Sequence, residues 1–145
     1  MDPVVSRLLS LPLSTDENPS NIFSNSPHGR PNHVLINEYL PGQGIMPHKD
    51  GSAYYPVVCT VSLGGSLCLD IHEAKKDGSR EAKPRWRILQ EPRSLLITTG
   101  NAYSDYLHGI AETTKDTDLG PDIIANWSLL RSPEHFMNGL NERET

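Results

Sequence analysis

The chain has 145 residues, 36% of them hydrophobic and 21% charged, with 12 Pro, 11 Gly and a formal net charge of −5. That length supports one domain with its own core, the Pro and Gly content favours a turn-rich β fold over a helical bundle, and the acidic balance excludes a polycation that coats nucleic acid by charge alone. Cys59 and Cys68 are too few for a disulfide scaffold, no apolar run reaches membrane-spanning length, and no charged-then-apolar leader opens the chain, so the expected setting is soluble and intracellular, nuclear or cytoplasmic, with no membrane partner.

Residues 1–30 are weakly patterned. Val4 to Leu11 is predicted as one short helix, and the Ser-, Asn- and Pro-rich stretch 14–30 as a flexible arm. His33-Val-Leu-Ile-Asn-Glu-Tyr-Leu40 is a strand by composition, with Leu35, Asn37 and Tyr39 on one face and Val34, Ile36 and Glu38 on the other. A Pro-Gly turn leads from it to His48-Lys-Asp50. In extended backbone that spacing sets an imidazole and a carboxylate on one face, two corners of the 2-His-1-carboxylate triad that holds non-haem Fe(II) with open positions. The alternative is a surface turn with a hydrogen-bonded carboxylate. The third corner has to come from elsewhere, and His108 in Asp-Tyr-Leu-His108-Gly-Ile is the candidate; His33, His72 and His135 are expected outside the cluster.

Two apolar runs, 57–63 and 67–71, flank Gly64-Gly65-Ser66. A three-residue loop there would pair Leu63 with Leu67, Val61 with Leu69 and Cys59 with Ile71, which sets apolar against apolar and predicts a hairpin with the two thiols on opposite faces. Residues 75–84 read as a charged linker turning at Asp77-Gly78. Strands follow at 85–90 and 94–99, joined as a hairpin by Glu91-Pro92-Arg93. Of the 13 basic residues, 7 fall between Lys75 and Arg93, a solvated hairpin or a phosphate-contacting rim. Gly100-Asn101 breaks the strand, 102–106 is predicted as a turn of helix, and His108 opens another extended piece. A polar loop, a strand over 123–130, and a short terminal helix starting at Ser132-Pro133-Glu134 complete the order.

Two long, separated motifs then point to one family. Pro31-Asn-His-Val-Leu-Ile-Asn-Glu-Tyr-Leu-Pro-Gly-Gln-Gly-Ile-Met-Pro-His-Lys-Asp-Gly51 is the first, and Thr98-Thr-Gly-Asn-Ala-Tyr-Ser-Asp-Tyr-Leu-His-Gly-Ile110 the second, with Thr60-Val-Ser-Leu-Gly64 and Leu69-Asp-Ile71 between them. This run resembles the AlkB-like Fe(II)/2-oxoglutarate dioxygenases, most closely the sixth AlkB homologue group. The resemblance implies a mainly β double-stranded β-helix, or jelly roll. It implies Fe(II) on His48, Asp50 and His108, 2-oxoglutarate hydrogen-bonded by Asn37 and Tyr39, O₂ as the second co-substrate, and no side-chain nucleophile. The family closes on a strand of the form Arg-x-Ser-Leu-Thr-x-Arg, whose arginines clamp the co-substrate carboxylate. Here only Ser128-Leu129 echoes it, and Arg131 is the one basic residue in reach. The expected organisation is a flexible arm at 1–30, an oxygenase-like β domain at 31–126, incomplete at its C-terminal end, and an atypical tail at 127–145.

Function divides accordingly. The resemblance implies an oxygenase that hydroxylates or demethylates an alkylated nucleic acid or protein. The missing arginine strand implies instead a catalytically weak or silent chain acting as a binding partner. A cupin-like metal barrel without 2-oxoglutarate chemistry is the third reading. The oligomeric state is not legible.

Overall fold

The structure, a computed structural model, describes residues 2–11, 21–75 and 81–144. Its contacts divide the chain into a unit of residues 1–37 and a unit of residues 38–145. The first contains helix α1 (Asp2–Leu9), with Leu8 buried, followed by Ile22 and Phe23, also buried.

The second unit is a set of short antiparallel strands. They are β1 (Ile45–His48), β2 (Val57–Val61), β3 (Leu67–Glu73), β4 (Trp86–Gln90), β5 (Leu95–Thr99), β6 (Tyr106–Ile110), β7 (Lys115–Asp116) and β8 (Asn141–Glu142), with helix α2 (Gly100–Ser104) between β5 and β6. One sheet has the order β1-β6-β3-β4, a second pairs β2 with β5, and a ribbon pairs β7 with β8. The fold is mainly β with antiparallel sheets, as a jelly roll requires, and the strands near 57–63, 67–72, 85–90 and 94–99 are where composition puts them.

Four expectations are corrected. Residues 33–40 form no strand, and Leu35 and Ile36 are exposed, Ile36 to 86%. A strand exists only through a partner ladder, and propensity alone cannot supply one. Second, β2 and β3 are not a hairpin. β2 pairs β5, with Val61 opposite Leu95, while β3 pairs β4 and β6, so Leu63 and Leu67 are not partners and the Gly64-Gly65-Ser66 stretch is a crossing between sheets. Third, Glu91-Pro92-Arg93 is a turn, closed by Ser94 N–H donating to the Glu91 carbonyl at 3.1 Å, but it too carries the chain from one sheet to the other. Apolar alternation fits either partner equally, so residue pattern could not choose between a hairpin and a crossing. Fourth, 123–130 is not a strand: Ile124 makes one parallel bridge to Arg87, and Trp127–Leu129 is a 3₁₀ turn. The charged turn at Asp77-Gly78 and residues 14–20 of the arm lie outside the described residues.

The core explains what 119–136 does instead. Cys68 of β3 and Leu89 of β4 pack with Leu119, Ile124 and Phe136, with Trp127 and Leu130 against them. The segment also covers the outer edge of β4. Ala125 N–H donates to the Arg87 carbonyl, and the Asn126 amide both accepts from Leu89 N–H and donates to the Leu89 carbonyl, each at 2.9 Å. One side chain thereby stands in for a ladder residue. The predicted terminal helix is a 3₁₀ turn, Pro133–Phe136, with Pro at its start.

The last residues fasten the ribbon to the sheet. Arg143 meets Asp116 through two bonds, NH2 to Oδ1 at 2.7 Å and Nε to Oδ2 at 3.1 Å, with side chains 6% and 1% exposed. Asn141 Nδ2 and Cys68 N–H also donate to Asp116 Oδ2, and Arg143 NH1 donates to the Ala111 carbonyl. A buried pair this fully hydrogen-bonded offsets its own desolvation.

Candidate metal centre

The site is made by a bulge. Ile45 faces Ile110 and His48 faces His108, so β1 spends one more residue than β6 between the two pairs. The extra residue falls at Met46-Pro47, where Pro47 lacks the N–H that a regular ladder would use. Gly109 permits the close approach: a Cβ there would lie 2.8 Å from Pro47 N and 2.9 Å from the Ile45 carbonyl oxygen. His48 is thereby set directly across from His108, with ring centroids 4.5 Å apart.

Asp50 lies two residues beyond His48, past the end of β1. His108 Nε2 and Asp50 Oδ1 are 3.9 Å apart, with side chains 27% and 29% exposed. One donor atom from each of His48, Asp50 and His108 lies within 4.8 Å of the others. Among the described residues this is the one such group of His, Cys, Asp and Glu, and His33, His72 and His135 are not part of it. His48 Nδ1 lies 2.9 Å from the Met46 carbonyl. A carbonyl only accepts, so Nδ1 carries the proton and Nε2 keeps its lone pair for an ion. Burial pushes the His108 imidazole below its ordinary range and the His48 ring adds to this, while the Asp50 carboxylate opposes them.

The donor set fits a divalent ion. Two imidazoles and one carboxylate on one side leave the remaining positions open, the arrangement that suits Fe(II). The three donors lie within 4.8 Å of one another, so an ion held by all of them would draw the set closer together.

The segment carrying Asp50 is held from both sides by α2. Lys49 Nζ donates to the Ser104 carbonyl at 2.6 Å, and Tyr103 Oη donates to the Gly51 carbonyl at 2.7 Å. Sequence reasoning missed both, because nothing in the local pattern separates Tyr103 from an ordinary core aromatic.

The remaining candidates are described one by one. Asn37 is exposed in the first unit, and Tyr39 is half-buried in the second. Arg131 is exposed, and its guanidinium donates to the Pro92 carbonyl, while Glu91 accepts from the backbone N–H of Arg131 and of Ser132. Among the described basic residues of 75–93, Lys75 pairs with Glu81, Arg85 with Glu73 and Arg87 with Asp70. No helix among the described residues is long and apolar enough to cross a membrane.

Comparison with known proteins agrees with this geometry. Residues 12–139 match the family model described as 2OG-Fe(II) oxygenase superfamily. The chain is 42% identical over 91 residues to the probable RNA/DNA demethylase ALKBH6 of Danio rerio, a match covering 59% of this chain and 39% of that protein. It is 32% identical over 95 residues to an uncharacterized protein of Acanthamoeba polyphaga mimivirus, covering 65% and 43%. It is 36% identical over 81 residues to the tRNA (carboxymethyluridine(34)-5-O)-methyltransferase alkbh8 of Xenopus tropicalis, covering 55% and 12%. The chain thus spans less than half the length of these curated relatives.

Proposed function

The chain belongs to the 2OG-Fe(II) oxygenase superfamily, with AlkB-like relatives, and from that premise we propose that His48, Asp50 and His108 hold Fe(II) for AlkB-type oxidation of an alkylated nucleic acid or protein. The convergence of the three donor atoms within 4.8 Å carries this reading. Fe(II) with 2-oxoglutarate and O₂ supplies an oxidant that hydroxylates a C–H bond, and on an N-methyl group the product releases formaldehyde.

The protein's part is binding, orientation and exclusion of water. His48 is aimed by its Nδ1–H on the Met46 carbonyl. His108 is half-buried on β6, and burial pushes its imidazole below its ordinary range, which favours the neutral ring that a metal takes as ligand. Asp50 supplies the charge that an ion of +2 needs. Asn37 and Tyr39 contact the 2-oxoglutarate in this reading. A nucleic acid is favoured as substrate by two relatives, one named a probable RNA/DNA demethylase and the other a tRNA (carboxymethyluridine(34)-5-O)-methyltransferase.

A second reading is favoured by one observation: 123–130 forms no strand, and Arg131 is engaged with the Glu91-Pro92 turn. A co-substrate carboxylate without its arginine partner loses about 3–5 kcal/mol, roughly two to four orders of magnitude in affinity. The chain then binds metal but turns over weakly. Anaerobic titration with Fe(II), then with 2-oxoglutarate, tests both. Absence of Fe(II) binding would sink the metal reading. Fe(II) binding with millimolar 2-oxoglutarate affinity fits the weak form, and micromolar affinity lost in Arg131→Ala refutes it.

A further inference from the structure

We infer that Tyr103, together with Lys49, is a positioning residue that presets the Asp50 carboxylate against His108; this rests on the metal reading above. Asp50 needs such help. β1 ends at His48, and Asp50 has no strand ladder to fix its backbone. The residues on either side of it are each tied to the last turn of α2. Lys49 Nζ reaches the Ser104 carbonyl, and the Gly51 carbonyl accepts from Tyr103 Oη.

The same Gly51 carbonyl accepts from Tyr54 N–H at 3.2 Å, which closes the turn after Asp50. The Tyr103 ring is buried and its hydroxyl bond is part-buried, whereas the Lys49 contact is exposed. Tyr103 therefore carries the larger share. Helix α2 leads directly into β6, which bears His108. One short helix thus sets the distance between two ligands that lie far apart in the chain. A Phe at position 103 keeps the ring and its packing and removes only the bond to Gly51. A Met at position 49 keeps the stem of Lys49 and removes its donor.

The test uses the full chain with Co(II) as a spectroscopic probe, beside amide hydrogen exchange on the metal-free protein. Tyr103→Phe is expected to weaken Co(II) binding by about 10–100-fold, the range for partners that orient metal ligands, and to alter the visible absorption of the bound ion. It should also speed exchange at residues 49–51 while leaving β3 amides protected. Lys49→Met should weaken binding less, and Lys49→Arg should restore it. Unchanged Co(II) affinity and unchanged exchange at 49–51 in Tyr103→Phe overturn the inference. Equal acceleration in β3 also overturns it, since the hydroxyl would then serve general stability. A failure of the metal reading shows differently: the unaltered chain would bind no Co(II), while the exchange result would still report whether Tyr103 fixes the Asp50 segment.

Discussion

The two sheets of the second unit are built from similar short apolar strands, yet they are finished differently. In the four-stranded sheet the outer edge of β4 is covered by Ala125 and the Asn126 amide, and one face is packed by Leu119, Ile124 and Phe136. In the two-stranded sheet, β2 and β5 pair only with each other among the described residues. Val61 and Leu95 are exposed, and Leu63 beyond β2 is 79% exposed. Both sheets satisfy the same local propensities. What separates them is whether another segment arrives to satisfy the edge and bury the face. The metal candidates lie on the better-finished sheet: His48 and His108 sit on neighbouring strands, β1 and β6, and Asp50 just past the first.

The largest expected effect tests what fastens that sheet. Arg143→Ala strands the buried Asp116 carboxylate and should cost about 3–5 kcal/mol in urea unfolding. A loss below about 1 kcal/mol would mean that the β7–β8 ribbon is an ornament rather than part of the finish. Asp50→Ala follows. It should weaken divalent-metal binding by at least ~100-fold while leaving the urea midpoint of the metal-free protein nearly unchanged, because Asp50 lies outside the ladder. Retained affinity in calorimetry would remove Asp50 from the site.

Titration probes the core of the same sheet. Burial, and then the Asp116 carboxylate, push the Cys68 thiol up to about 12. The unfolded thiol titrates near about 8.5. The folded state therefore holds its proton more tightly, and the stability so contributed is whole below about pH 8.5 and is lost as pH rises toward 12, at about 1.4 kcal/mol per unit. Cys68→Ala should flatten this slope in denaturation curves taken across that window. The smallest effect belongs to the thin sheet. Leu95→Lys should change stability by no more than about 0.5 kcal/mol, yet reduce aggregation measured by light scattering, since a charge on an open apolar sheet blocks edge-to-edge pairing. A large loss of stability would show that β2–β5 is more buried than its exposure indicates.

Residues 33–40 and 57–61 make the limit of sequence reading concrete. Both are β-prone and apolar, and only the second found a partner in the ladder. The thiols teach the same lesson. Cys59 and Cys68 are unbonded because their strands belong to different sheets, not because a hairpin turns them to opposite faces.

The sequence by itself determined the strand positions from 57 to 99, the donor chemistry of His48, Asp50 and His108, and the family, because these depend on side-chain types at short spacing. Only the tertiary structure decided which strands pair, that Asn126 and Arg143 close the four-stranded sheet, and that Tyr103 brackets Asp50. Those are bonds between residues tens of positions apart, and local pattern carries no information about which distant backbone group will arrive to accept a given donor.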